Sequence, residues 1–300
     1  MSTTVRVRVP AKVNLSLRVG PTEASGYHEL GTLFQGLSLF DDVIAERAPA
    51  GQFSLAFQGE GAGFLPTDDT NLAMRAAKLI ARRFDVTDAG VSLLIRKRIP
   101  VAGGMAGGSA DAAATLRACN ELWRVCASDA DLSELAASLG ADVPFLLVGG
   151  TALGTGRGDV IHPVACQGSY YWALALSHSG LSTPEVFAEF DRLDGPRGVV
   201  VDEALLAAVA AGDVPAVGRL LRNDLTAAAV ALQPCLNDTL AAGRMAGAIG
   251  VIVSGSGPTC AFLAETPQAA DRIAQSLSRL ASVRTVRRAD GPVGGAQVVG

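Results

Sequence analysis

Residues Arg96 to Ala114, RKRIPVAGGMAGGSADAAA, constrain this chain more than any other segment. An apolar run, Val91–Ile95, ends just before them, and an Ala-rich stretch with helical spacing continues to about Trp123. Between the two, Gly103, Gly104, Gly107 and Gly108 occupy four of six positions. Glycine lets a backbone take positive φ and approach a ligand closely. The first N–H groups of the following helix are unpaired and carry partial positive charge. Strand, glycine loop and helix start together make an anion site suited to phosphate. The spacing Gly103-x4-Gly108-Ser109 comes near a Walker A loop, but Ser109 stands where that motif requires lysine, so the loop is not of that class. The plainer reading is a flexible connector with Ser109 as the helix N-cap; so many glycines are a costly way to build one.

The rest of the chain fits a folded α+β protein. Its 300 residues set a prior of about two domains. Apolar residues make up 49% and charged ones 18%, which excludes a disordered chain. Net charge is −4, against the basic balance of a general nucleic-acid binder, so no nucleic-acid partner is expected. Cys119, Cys126, Cys166, Cys235 and Cys260 lack a CxxC spacing, and with three scattered histidines suggest free buried thiols rather than a zinc site. Cys119 and Cys126, seven apart, are expected on one helix face. The N-terminus has no signal-like apolar region, and the longest uncharged stretches are broken by Gly, Pro, Ser and His. A cytoplasmic protein without membrane contact is expected. Of 25 basic residues only Lys12, Lys78 and Lys97 are lysines, so each is a position where a compact ammonium is of interest.

Periodicity places the elements. Val13, Leu15, Leu17 and Val19 alternate with Lys12, Asn14, Ser16 and Arg18, a first strand with one buried face. Strands are expected at Asp42–Arg47, Phe53–Gln58 and Val91–Ile95, with helices from Asn71 to Phe84 behind a Thr70 cap and over Leu132–Leu139. Glycine thickens between Gly149 and Gly158, and the domain boundary is placed near residue 160: 1–160, then 161–290, then a patternless tail 291–300 expected to be disordered. The second half predicts strands at Tyr170–Ser177, Val251–Val253, Ala261–Leu263 and Val283–Arg288. Its helices are expected at 184–193, 203–211, 214–222, 236–246 and 268–280.

The loop Pro100-Val-Ala-Gly-Gly-Met-Ala-Gly-Gly-Ser-Ala-Asp-Ala-Ala resembles the phosphate-binding motif of the GHMP kinases. Four further segments resemble theirs in order and spacing: Pro10-Ala-Lys-Val-Asn-Leu15, Gly26-Tyr-His-Glu-Leu30, Gly140-Ala-Asp-Val-Pro-Phe145 and Gly255-Ser-Gly-Pro-Thr259. The resemblance implies a two-domain GHMP kinase fold, the N-terminal part like ribosomal protein S5 domain 2, the C-terminal part like an α/β sandwich. It implies ATP with Mg2+ as cofactors and a small-molecule alcohol as acceptor. Asp142 is implied as the base and Lys12 as the catalytic cation. Asn14, Tyr27, His28, Thr183 and Phe187 are implied on a cytidylyl sugar-alcohol diphosphate. This chain is two residues short near Phe187. Asn71 and Lys97 are implied near adenine. Pro100, Gly103, Gly104, Met105, Ala106, Gly107, Gly108, Ser109 and Ala110 are implied around the phosphates, with Ser109 able to reach the metal through Mg-ATP.

Residue by residue, other readings stay open. Asp142 also reads as a turn residue before Pro144, Lys12 as a solvated strand lysine and Lys97 as part of the basic run 96–98. Tyr27-His28 also reads as surface filler and Gly255-Ser256-Gly257 as a hairpin turn. A sibling kinase for mevalonate, homoserine or a sugar is the alternative enzyme, and a non-catalytic nucleotide binder the alternative class. Monomer and homodimer are both compatible with the sequence.

Overall fold

The computed structural model describes residues 3–24, 26–193, 195 and 198–299. The chain opens with two long antiparallel strands, β1 (Thr4–Thr22) and β2 (His28–Arg47), followed by β3 (Phe53–Gly59). Helix α1 (Leu72–Arg83) then crosses to β4 (Val91–Lys97), which lies parallel to β3 and antiparallel to β2. The glycine loop leads into α2 (Gly107–Trp123), followed by α3 (Asp129–Leu139) and the short α4 (Val143–Val148). A hairpin, β5 (Thr151–Thr155) and β6 (Val160–Pro163), extends from β2. The second sheet begins at β7 (Tyr170–Ser177). Helices α5 (Thr183–Leu193), α6 (Glu203–Ala211) and α7 (Val214–Leu220) follow, then β8 (Arg222–Asn223), α8 (Thr226–Leu232) and α9 (Cys235–Met245). The chain closes with β9 (Gly250–Val253), β10 (Cys260–Ala264), α10 (Pro267–Leu277), β11 (Val283–Gly291) and β12 (Gln297–Val299).

The first sheet runs β12-β1-β2-β4-β3, and the second runs β11-β7-β10-β9. Alternation along β7 shows how they join. Tyr170, Trp172 and Leu174 point into the core shared with the first sheet, while Ala173 and Ala175 point to the core under α9 and α10. Trp172 is fully buried, and its Nε1 donates to Oε1 of buried Gln35 on β2 at 3.2 Å. Polar partners so far from water need such a bond.

Several expectations change. The alternating face of β1 is not solvated: Lys12, Asn14 and Ser16 are as buried as the valines opposite, because the polar face forms a cleft wall. Strand β2 begins at His28 rather than Asp42. Its middle is buried almost continuously, so the period-two signal is lost there. Helix α1 is capped by Asn71, whose Oδ1 accepts from Ala73 N at 2.8 Å, and not by Thr70. Helix α2 starts at Gly107 behind Ala106, which sits in the left-handed region at φ 60°, so Ser109 is its third residue and not its cap. Cys126 lies beyond the end of α2 and is exposed, so it shares no helix face with Cys119. Helix α8 and strand β8, both very short, were not visible in the pattern. The tail is not patternless: Arg6, Arg8 and Val7 pair with Val299, Gln297 and Val298. The first sheet also runs past residue 160, through β6.

Helix α9 approaches β10 through Gly243, where an added Cβ would overlap the ring of Phe262, itself fully buried. Gly243→Ala should therefore lower unfolding stability by about 1–3 kcal/mol through overpacking. Urea unfolding measures it, and an unchanged midpoint would show that the helix can shift freely.

Candidate active site

The polar face of β1, the glycine loop, the start of α4, the face of α5 and the turn 254–257 enclose one cleft of about 1040 Å3. Lys12 is placed there by β1. Its Nζ donates to Asn14 Oδ1 at 2.8 Å, stands 3.7 Å from Asp142 Oδ2, and lies 5.5 Å from the centre of the Phe34 ring. Asn14 Nδ2 donates to Thr32 Oγ1 at 2.8 Å, and that hydroxyl donates to the Ser16 carbonyl at 2.7 Å. The ammonium is thus oriented by a buried chain that ends on the backbone of its own strand. Thr32 escaped sequence reading because it lies in the part of β2 where no alternation shows.

Asp142 holds the N-cap position of α4, with Pro144 next but one, yet its side chain makes no capping bond. Its carboxylate is about one-third exposed and turned to Lys12 and the cleft. A cap would have tied up an oxygen; here both oxygens remain available for chemistry.

The glycine loop is pressed against the turn 254–257. Gly104 has φ 71°, and an added Cβ would overlap the Ser254 carbonyl. Ser254 Oγ donates to Gly104 O at 3.1 Å. Gly255 has φ 56°, and a Cβ on it would stand 3.2 Å from Lys12 Nζ. Ala102 and Ala106 also take positive φ, at 53° and 60°, a cost on non-glycine residues that marks functional loops. Pro100, Gly103, Gly104, Ala106, Gly107, Gly108 and Ser109 line the cleft. Met105 and Ala110 do not; both are fully buried in the core, and Met105 contributes its carbonyl, which accepts from Lys12 N at 3.4 Å.

Lys97 is not part of a solvated basic run: it lines the cleft and is buried. Its Nζ donates to Asp41 Oδ2 at 2.6 Å, Asp111 Oδ2 at 2.8 Å and the Gly107 carbonyl at 3.1 Å, with 2% of the side chain exposed. Burial pulls its pKa down, but Asp111 and Asp41 outweigh that and hold it above the ordinary lysine value. Burial pushes Asp111 up to about 8 against the pull of Lys97. Its Oδ1 has no partner among the described residues. With Asp111 protonated, one ammonium faces one carboxylate beneath the loop, and the anion site above is not repelled. Asn71 lines the cleft too, but its amide is committed to capping α1 and to the Pro66 carbonyl.

At the α5 end, His28 stacks on Phe187 with centroids 5.2 Å apart and meets Phe190 edge-on. Tyr27 stands at the mouth, 60% exposed, 5.6 Å from the Arg157 guanidinium. Thr183 Oγ1 and Ser256 Oγ share a hydrogen bond of 2.9 Å, joining α5 to the turn. Ser256, from the Gly255–Thr259 motif, lines the cleft, as do Arg157 and Asp191, which were not singled out in the sequence, where each is an ordinary polar residue in a loop or helix.

Family models described as GHMP kinases N terminal domain and GHMP kinases C terminal match residues 71–150 and 205–282. The chain belongs to the GHMP kinase family. A relative from Thermobifida fusca (strain YX) named 4-diphosphocytidyl-2-C-methyl-D-erythritol kinase is 52% identical over 306 residues, covering 99% of each chain. One of the same name from Cutibacterium acnes (strain DSM 16379 / KPA171202) is 47% identical, covering 99% of this chain and 97% of the other. A crystal structure of 4-(cytidine 5'-diphospho)-2C-methyl-D-erythritol kinase, 35% identical, superposes with a TM-score of 0.79 over 96% of this chain and 100% of that one. The two-sheet architecture is therefore the two-domain GHMP kinase fold. Among the described residues no helix is long and apolar enough to cross a membrane.

In this GHMP kinase the pKa of Asp111 links stability to pH. Its folded value lies above the ordinary 3.8, so the folded chain keeps a proton that the unfolded chain has released. The stability this group contributes is full below about 4 and falls as pH rises toward about 8. Asp111→Asn, always neutral, should flatten that slope. Urea unfolding across this range checks it; identical slopes in both chains would refute it.

Proposed function

We propose that the chain transfers the γ-phosphate of ATP to the 2-hydroxyl of 4-diphosphocytidyl-2-C-methyl-D-erythritol, giving the 2-phosphate and ADP, a step of the non-mevalonate route to isoprenoids. The observation that carries this is the carboxylate of Asp142 standing 3.7 Å from the Lys12 ammonium in the cleft that the glycine loop lines. The identity of full-length relatives to this chain, and their printed names, support the substrate.

Phosphoryl transfer needs positioning and charge neutralisation more than covalent help. The loop N–H groups and the start of α2 receive the ATP phosphates. Asp142 takes the proton of the attacking hydroxyl, leaving an alkoxide oxygen aimed at the γ-phosphorus. Lys12 stabilises the negative charge on that oxygen and on the phosphoryl group as it moves. Asn14 and Thr32 keep the ammonium in place. The aromatic group of Tyr27, His28 and Phe187 offers faces to a planar base, and Thr183 and Ser256 offer hydroxyls beside it. The Ser109 hydroxyl has no protein partner among the described residues and faces the cleft, as does the Asp142 carboxylate. These are oxygen donors of the kind Mg2+ takes together with substrate phosphates. Bound there, Mg2+ would neutralise phosphate charge.

Asp142→Asn should keep ATP affinity and lower kcat by about 10²–10⁴-fold, the usual worth of a general base. A coupled ADP-release assay with the cytidylyl substrate, beside ATP titration, measures both. Near-normal turnover would remove Asp142 as the base. Lys12→Arg should also lower kcat in the same assay, because a longer, planar guanidinium cannot put its charge where the Nζ ammonium sits between Asn14 Oδ1 and Asp142 Oδ2.

A further inference from the structure

A second cavity, of about 340 Å3, adjoins the glycine loop. Sites for small molecules run from about 300 to 1,000 Å3. Pro100, Val101, Ala102 and Gly103 line both this cavity and the cleft, so one stretch of backbone is the wall between them. The opposite wall is the second sheet. The register Cys260↔Ala175, carried one step on, sets Thr259 across from Leu176, and both line the cavity. Thr259 Oγ1 would stand 3.0 Å from a Cβ on Gly103. That hydroxyl is shielded from solvent and has no hydrogen-bond partner among the described residues. Leaving a buried hydroxyl unpaired is costly, and one beside a cavity points to a polar atom brought by a ligand.

At the mouth, Arg284 of β11 donates through Nη2 to Glu60 Oε1 at 2.8 Å, joining the second sheet to the turn after β3. A guanidinium has five N–H donors and this bond uses one, in a side chain 37% exposed. Phe64 lies at the same cavity, 73% exposed, and with Leu176, Val101 and Pro258 gives it an apolar side. Spare donors beside an apolar lining fit an anionic oxygen head on a short hydrocarbon body.

We propose that this cavity binds a small organic anion, an oxyanion head on a short hydrocarbon chain, and that its occupant tightens ATP binding through the shared wall. The inference rests on the reading that the glycine loop holds ATP, and not on the identity of the acceptor. Ala102 holds φ at 53° in that wall, a strained state for a residue with a side chain. An occupant packed behind it adds contacts that favour this conformation, the one in which the loop lines the cleft. Whatever factor the occupant adds to ATP affinity, ATP adds to the occupant's. An anion bound at the cleft side of the loop would show the reverse sign, because it would compete with the nucleotide phosphates.

The test is calorimetric titration of the full chain with n-butyl phosphate and with pentanoate, beside inorganic phosphate and n-butanol, with and without saturating β,γ-methylene-ATP. At least one of the two organic anions should bind saturably, about tenfold or more tighter than inorganic phosphate or butanol. The stronger of the two identifies the head. The nucleotide should raise its affinity, and it the nucleotide's, by one common factor of about fivefold or more. Arg284→Gln should weaken the anion by about tenfold or more and leave nucleotide affinity measured alone unchanged. Thr259→Val, which keeps the side-chain shape, should weaken it by about threefold or more. Glu60→Gln, which removes a competing negative charge beside the head, should strengthen it, a gain that a damaged fold cannot produce. No saturable binding of either organic anion, affinities that the three variants leave unchanged, or expulsion by the nucleotide overturns the site. Binding that leaves nucleotide affinity where it was overturns the coupling. A nucleotide analogue that does not bind in the absence of any anion overturns the ATP reading of the loop, and the coupling with it.

Discussion

A lysine ammonium clasped between two aspartate side chains underlies the glycine loop. Lys97 ends β4, Asp41 belongs to β2, and Asp111 sits in the first turns of α2. Asp41 Oδ1 also accepts from the N–H groups of Arg98 and Ile99, where the chain leaves β4. Both ends of the loop are therefore fastened to one buried cluster, and Lys97 holds the Gly107 carbonyl as well. A buried pair gives little net stability over an apolar replacement, but removing one partner costs about 3–5 kcal/mol. What it provides is position. A loop that holds two alanines at positive φ and aims N–H groups into a cleft needs a fixed base.

The opposite wall depends on the turn 254–257. Asn223 on β8 donates to both the Val253 and Gly255 carbonyls at 2.7 Å, and β8 itself pairs with β1 beside Ser16 and Leu17. The strand that carries Lys12 and Asn14 thus also anchors the turn that crowds Lys12 and Gly104. Ammonium, loop and turn are set by one backbone ladder, so their spacing is common to all three.

Much of this was legible in the residues. The glycine loop was readable as local pattern plus a chemical need, and the strand of Lys12 and Asn14 as alternation; the roles of Lys12 and Asp142 came only with the family resemblance, since alone the one reads as a solvated strand lysine and the other as a turn residue before Pro144. The buried role of Lys97 was not legible, because its partners Asp41 and Asp111 lie far from it in sequence and look like ordinary acids. His28 was readable as an aromatic beside a tyrosine, but Asp191 joins the cleft only when α5 folds against it. Met105 and Ala110 lie inside the phosphate motif yet turn into the core, since alternate residues of a loop entering a helix cannot all face the ligand. Strand β12 was hidden by its shortness: three residues carry too little periodicity to read.

The pairing of β12 with β1 has a consequence for the order in which the molecule can assemble. Arg6 is hydrogen-bonded in register with Val299, nearly the whole chain away, and Ser16 with Arg222. Strand β1 therefore cannot complete its neighbours until β8 and β12 exist. While the chain is being synthesised, β1 has β2 on one side and an open edge on the other, with its row of backbone donors and acceptors unpaired. Such non-local pairing slows folding, because the loop entropy must be lost before the contacts form. The strand that holds Lys12 is accordingly synthesised long before it can be fully enclosed.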